Sequence, residues 1–553
     1  APRDDGPLRA MRIARAAAAL LAVLVGPSHA LVGHRWRAPR GALGAVSHAA
    51  EPAPGVAADP APVDEEEDAN IVVEGSVGRG PGPRRSPALE RWLRDAVRPT
   101  PGVASAVNSL GGQAFARQPT PSLKDEGWRQ NSWSPLISHD YEPAPTSASL
   151  GLTAADVDPL VLESCRGRCI VMVNGEPSEE LSDLSRCPDS LEVWSLGALA
   201  DDELAYFARE YLSLLPEEEG LRQKERTGAN VFAALNQANL RDALLLLAEE
   251  GAEAEEEPVQ VLSLHCGGGG TTPTATSPRV VFYGAENSSA SVVFTSASLG
   301  AAGEGAGADA GEEPVPHFTN TNMHVELQVG ARAKVVHESR PLPGTRQVDT
   351  FTSALEERAE LDAVATLIGG TFHRMNAFSA LQGAQSHLRL RSLAVSEEGA
   401  EQALHSRILF NDVNASCEQL HQNVVGASST CVFRGRIQVP THAQETDAQQ
   451  LCRSTLLGEK AYAVAMPTLD VTADQVSCAH GATMSDIDEN EVFYLRSRGI
   501  SGKEARAMLL RGLVRDAVET PEAPEVLGYA LEKLMRVVPT DSSRPGSQPM
   551  WSL

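Results

Sequence analysis

At 553 residues the chain is long enough for one large core or two to three smaller ones, once stretches that can bury little are set aside. With 73 acidic against 47 basic side chains it carries a formal charge of -26, which argues against nucleic acid as a partner, because a phosphate backbone rewards clustered Lys and Arg. Its eight cysteines are too sparse for a disulfide scaffold and lack the two-pair spacing of a closed zinc site.

Residues 1–50 read as an address. Met11, taken as a start codon, is followed by Arg12 and Arg15, an apolar run from Ala16 to Val25 and the small-residue cleavage signal Ser28-His29-Ala30, the form of a secretory signal peptide. Arg35, Trp36, Arg37 and Arg40 then stand in a segment without acidic residues before Glu51, which is transit-peptide composition. The tandem predicts delivery to the stroma of a secondary plastid, one wrapped in extra membranes. No stretch reaches the roughly 20 apolar residues of a membrane helix, so no membrane partner is expected.

Residues 51–120, rich in Ala, Pro and Gly with an acidic run at Asp64–Asp68, are predicted to be a mostly disordered linker, helical only at Ala88–Val97. Residues 121–258 form a helical or mixed domain in this reading. Apolar spacing is helical at Ala200–Leu214 and Asn230–Leu247, where Phe232, Leu235, Ala238 and Leu244–Leu247 can share a buried side. Glu249–Glu257 and Leu299–Glu313 lack periodicity and are expected to be surface insertions, the second interrupting the β region at 299–313.

Between residues 259 and 490 short β segments dominate. Val325, Leu327, Val329, Ala331, Ala333 and Val335 alternate with mostly polar residues, as do Phe433, Ile437 and Val439 with theirs. Short strands punctuated by Gly, Asn and Ser fit a sandwich, a barrel or a β-helix, and no repeat of fixed length chooses among them. Residues 491–540 return to helix. Ser501 and Glu504 make a capping box ahead of Ala505, Met508, Leu509 and Leu513, and a second amphipathic helix is expected from Pro524 to Val537 with Val526, Tyr529, Ala530 and Leu534 on one face. The pair is either a docking surface or a cap on the β core. Residues 541–553 read as a disordered tail.

Familiar catalytic patterns are missing. Cys266-Gly267-Gly268-Gly269-Gly270-Thr271 has the glycines of a phosphate cradle, but no Lys follows and Pro273 comes at once, so no ATP is expected on this chain. His337-Glu338 begins like a zinc-protease helix, yet Pro341 stands where the second His belongs. What remains is Cys478-Ala479-His480-Gly481-Ala482-Thr483. In a strand Cys478 and His480 point to one face, so a soft thiolate and an imidazole can meet one iron; the plainer reading is a buried Cys beside a hydrogen-bonded His. Cys417, Cys431 and Cys452 are read as core.

Ala443-Gln444-Glu445-Thr446-Asp447-Ala448-Gln449-Gln450, Leu456-Leu457, Pro467-Thr468-Leu469, the segment Cys478–Thr483, and Phe493-Tyr494-Leu495-Arg496-Ser497-Arg498-Gly499-Ile500 closely resemble, in order and spacing, the C-terminal half of the SufB/SufD family. Weaker echoes at Lys124-Asp125-Glu126-Gly127-Trp128-Arg129, Val173-Asn174-Gly175, the segment Asn230–Asn236 and Thr321-Asn322 extend the resemblance over roughly Leu123 to Val538. Gly481, where SufB usually carries Glu, looks like the SufD branch, and SufB's cluster-building cysteine has no obvious counterpart.

The resemblance implies a mainly β protein, with a right-handed parallel β-helix core flanked by N-terminal and C-terminal α-helical domains. It implies a scaffold without ATPase activity that pairs with a SufB-like paralogue through the β-helix and receives a SufC-like ATPase at the C-terminal helices, around Arg496, Arg498, Met508, Leu509 and Leu513. A transient iron–sulfur cluster at the SufB interface would meet His480, with Cys478 its neighbour; whether a flavin binds is left open. Two rival readings are a SufB-like homodimeric cluster scaffold and a secreted β-helix enzyme acting on polysaccharide, for which Asn287-Ser288-Ser289 and Asn414-Ala415-Ser416 are glycosylation sequons.

Overall fold

The computed structural model describes residues 87–98, 105–118, 121, 125–198, 229–267, 272–299, 315–397 and 399–538. All lie in the second of two compact units, Pro83–Leu553. The signal and transit segments, the helix expected at Ala200–Leu214, most of the insertion at 299–313 and the tail at 541–553 fall outside the described residues.

The unit is built on a parallel β-solenoid. Successive strands alternate between two sheets, so the strands at Thr345–Leu355, Phe372–Leu381, Glu401–Phe410, Thr430–Val439 and Tyr462–Val471 stack in one sheet. The intervening strands at Glu360–Ile368, His387–Ser396, Ser416–Val425, Asp447–Leu456 and Ser477–Ser485 stack in the other. Every neighbouring pair of these strands is parallel. The coil length drifts: Glu360 pairs with His387, 27 residues on, and Thr430 with Tyr462, 32 residues on.

A backbone device recurs at one corner of each coil. Asn287, Gly330, Arg358, Gln385, Asn414 and Glu445 all adopt positive φ, shortly before the next strand of the second sheet. Each donates its backbone N–H to the equivalent corner of the following coil, as Arg358 does to Ala384 and Gln385 to Val413. The corner that each chain turn needs is thus satisfied by its neighbour.

Inward side chains form continuous columns because matched positions on parallel neighbours project to one face. One column runs Ala333, Leu361, Leu388, Cys417, Ala448, Cys478. Apolar columns of this kind fill the bore with Phe282, Phe294, Phe351 and Phe433. Outside, the first sheet is covered by N-terminal helices: Trp92, Trp128 and Phe232 pack on Phe318, Val348 and Phe372. Fully buried Arg374 stacks on Trp128, its Cζ 3.9 Å from the ring centroid, and donates to the Gly127 carbonyl at 2.6 Å.

The second sheet is covered by three C-terminal helices, α1 (Glu489–Ser497), α2 (Gly502–Val518) and α3 (Pro524–Val537). Ala505, Leu510 and Val514 of α2 and Val526, Ala530 and Leu534 of α3 pack on Val336, Val364, Leu393 and Val424. The capping box of Ser501 and Glu504 is present.

Three local expectations are corrected. Ser105–Arg117 is a helix, in a segment expected to be helical only at Ala88–Val97. The helix of Asn230–Leu247 ends early, at Ala229–Ala238, and Leu244–Ala248 is a strand between Leu191–Ser195 and Arg279–Gly284. A run of four leucines in the middle of a sheet is covered on both faces and shows no alternation, which mimics a buried helix. Glu253–Glu257, read as part of an insertion, belongs to the long strand Glu253–Cys266, its acidic residues half-buried or exposed while the rest of the strand is buried.

Candidate functional site at the open end of the solenoid

Among the described residues nothing covers the C-terminal end of the solenoid. Tyr462–Val471 and Ser477–Ser485 are the terminal strands of the two sheets, each paired on one side only among the described residues. Unpaired edge N–H and C=O groups form a template for another chain, and this edge also exposes Tyr462 (55 %) and Met484 (51 %).

Cys478 and His480 both stand on the last strand. Cys478 ends the apolar column behind Cys417 and Ala448, is half-buried, and packs against the core. Burial pushes its thiol up, partly opposed by a backbone hydrogen bond from Ala448. His480 ends the column Leu390, Gln419, Gln450 and is exposed. The two share a face, as their spacing requires, with the imidazole open to the end and the thiol set against the core. Among the described residues no group of three or more His, Cys, Asp or Glu side chains is arranged to hold a metal ion. Iron held here takes at most these two donors from the described residues and leaves the rest of a tetrahedral set to other molecules.

Sequence reasoning missed the polar bore behind this end. His421 Nε2 donates to Asn423 Oδ1 at 2.8 Å, and Asn423 Nδ2 donates to Ser454 Oγ at 3.0 Å and lies 3.8 Å from Cys452 Sγ. Burial pushes the Cys431 and Cys452 thiols up to about 12 and the Cys417 thiol further, so all three stay protonated core groups. A second buried network lies deeper: Asp349 Oδ2 accepts from His373 Nε2 at 2.9 Å and Gln347 Nε2 at 2.7 Å, with His337 Nε2 at 3.6 Å. His337 and Glu338 are thus strand residues facing solenoid partners. His421 with Asn423 and Gln347 with Asp349 are neighbours on one strand, but the other members join only through the register between coils, which the drifting coil length hides.

The helical residues separate into two sets. Arg496, Arg498 and Met508 are exposed, whereas Leu509 and Leu513 are half-buried and pack into the helix layer. The Arg498 Cζ lies 5.1 Å from the Tyr494 ring centroid, beside the αL turn at Gly499. Phe493 (63 % exposed) and Tyr494 (58 % exposed) add an aromatic surface on α1 that the spacing argument had not singled out.

Residues 267–513 match the family described as SUF system FeS cluster assembly, SufBD core domain. The iron–sulfur cluster assembly protein SufD of Escherichia coli is 25 % identical over 82 % of this chain and 97 % of its own length. The chain belongs to the SufB/SufD family. Within it the chain is a SufD-like iron–sulfur cluster assembly protein. A Synechocystis iron–sulfur cluster assembly SufBD family protein is 27 % identical over 70 % of the chain and 81 % of that relative, and the chloroplastic protein ABCI7 of Arabidopsis thaliana 26 % over 78 % and 86 %. The SufBD core match spans the solenoid strands from Thr274 onward, the open end with Cys478 and His480, α1 and most of α2.

Proposed function

We propose that this SufD-like chain is the scaffold subunit, without ATPase activity of its own, of a complex with a SufB-like paralogue and a SufC-like ATPase, and that it supports assembly of iron–sulfur clusters in the plastid stroma. The observation that carries the reading is the open solenoid end, where an unpaired edge in each sheet, exposed Tyr462 and Met484, and His480 coincide. A paralogous solenoid is the natural cover for such an end, because its own edge strands can continue both sheets. The nascent cluster is cargo at that junction, with His480 offering a ring nitrogen and Cys478 adjacent. The chloroplastic relative and the transit-like composition of residues 31–50 support the plastid.

The helices supply the second contact. Phe493, Tyr494, Arg496, Arg498 and Met508 offer an exposed aromatic and basic face for the ATPase, while Leu509 and Leu513 brace that face from within. ATP-driven movement of the docked ATPase passes through α2 and α3 into the second sheet and opens the junction around His480, a two-state element biased by partner contacts.

Co-expression of the mature chain with the SufB-like and SufC-like proteins of its organism tests the assembly. A three-component complex is expected from the wild type, and Met484→Lys on the edge strand is expected to lose the SufB-like subunit while keeping the ATPase. A chain that instead self-associates and assembles clusters alone would favour a SufB-like homodimer, and failure to capture either partner would overturn the proposal.

A further inference from the structure

The column that ends in His480 changes character over its last rungs, from Leu390 to Gln419, Gln450 and His480. Gln450 is 3 % exposed, and its Nε2 donates to Gln419 Oε1 at 2.7 Å. Gln419 Nε2 in turn donates to Ser406 Oγ on the facing sheet, also at 2.7 Å. The Gln450 amide lies against Gly435, where an added Cβ would collide with Nε2. This relay points the nitrogen of Gln450 into the bore. Its Oε1 is shielded from solvent and has no hydrogen-bond partner among the described residues.

A buried acceptor without a donor forfeits the hydrogen bond it would make in water, so the position calls for a donor. The next residue of the same column is His480, the register partner of Gln450. We propose that Gln450 is the positioning residue for His480: its Oε1 accepts the N–H of one ring nitrogen, fixing the ring and its tautomer and presenting the other nitrogen's lone pair to iron at the junction. A histidine ligand ordinarily has its second nitrogen anchored in this way, by a carboxylate, a carbonyl or water. The proposal rests on the reading of His480 as the iron-facing group.

The test is made on the full chain with ¹⁵N-labelled histidine, at pH about 8 where a free imidazole is neutral, the His480 signals being assigned with His480→Ala. One tautomer is expected to dominate in the wild type. Gln450→Leu and Gly435→Ala, which remove or displace the acceptor by independent routes, are expected to return His480 to the ratio of a free imidazole, and Gln450→Glu to restore the single tautomer. Iron(II) retained by the complex should fall about tenfold in Gln450→Leu, as for loss of an outer partner of a metal ligand. A free-imidazole ratio in the wild type, or a ratio that Gln450→Leu leaves unmoved, overturns the positioning role. If the ratio shifts but His480→Ala retains iron normally, Gln450 still positions the ring and the iron-facing reading is what fails.

Discussion

Lys334, on the outer face of the second sheet, holds Glu522 of the α2–α3 turn, with Nζ 2.5 Å from Glu522 Oε1 and 2.6 Å from Glu255 Oε1. Arg391, two coils further along the sheet, donates to the Glu519 carbonyl at the end of α2 at 2.8 Å. The turn between the helices is therefore fastened to two strands by two cations, in addition to the apolar packing beneath α2 and α3. In the proposed mechanism this mounting is what carries a push on the helices into the sheet.

Replacing Lys334 with Ala should cost about 0.5–1 kcal/mol, the ordinary worth of a partly exposed ion pair. The more telling effect is local: amide exchange should quicken in the α2–α3 turn and the start of α3 while the inner strands keep their protection. Hydrogen exchange followed by mass spectrometry reads both regions, and uniform quickening would mean that Lys334 supports the whole fold rather than the mounting.

Buried histidines make the fold acid-sensitive. Burial lowers His265 and His421 to about 4 and His317 to about 3, from an ordinary 6.5. A group neutral in the native state but protonated when unfolded withdraws stability as pH falls through its unfolded value. The loss should thus begin near 6.5 and continue to about 4, at on the order of 1 kcal/mol per pH unit for each histidine. Urea midpoints at a series of pH values check this; a midpoint flat down to the carboxylate range would contradict it.

Two glycines should respond with opposite signs. Gly330 sits at φ +68°, and an added Cβ would lie 2.5 Å from Asn287 Oδ1, so Gly330→Ala should destabilise by about 1–2 kcal/mol. Gly528 is inside α3 with nothing near its would-be Cβ, so Gly528→Ala should stabilise by up to about 1 kcal/mol. Thermal unfolding of the two variants distinguishes them, and equal shifts would refute the corner role of Gly330.

The helices at the C-terminus were legible because their signals are local: the Ser501–Glu504 box and the span Pro524–Val537 both stand as read. The solenoid was not legible from periodicity. Its corner residue is Asn or Gly at 287, 330 and 414 but Arg358, Gln385 and Glu445 elsewhere, so no turn signature repeats. The alternation read across Val325 to Val335 is two strands, His317–Leu327 and Arg332–Arg340, with the corner at Gly330 between them. The shared face of Cys478 and His480 follows from spacing within one strand. Gln450, in contrast, meets His480 only through a register 30 residues long, and its neighbours' registers differ.

His480, at the solenoid's open end, is proposed to take part in cluster assembly at the junction with the SufB-like subunit. Anaerobic reconstitution of the purified three-component complex with iron and sulfide, wild type beside His480→Ala, tests it most directly. Both complexes should assemble equally while the variant's cluster absorbance falls severalfold; normal cluster formation in the intact variant complex would contradict the role assigned to His480.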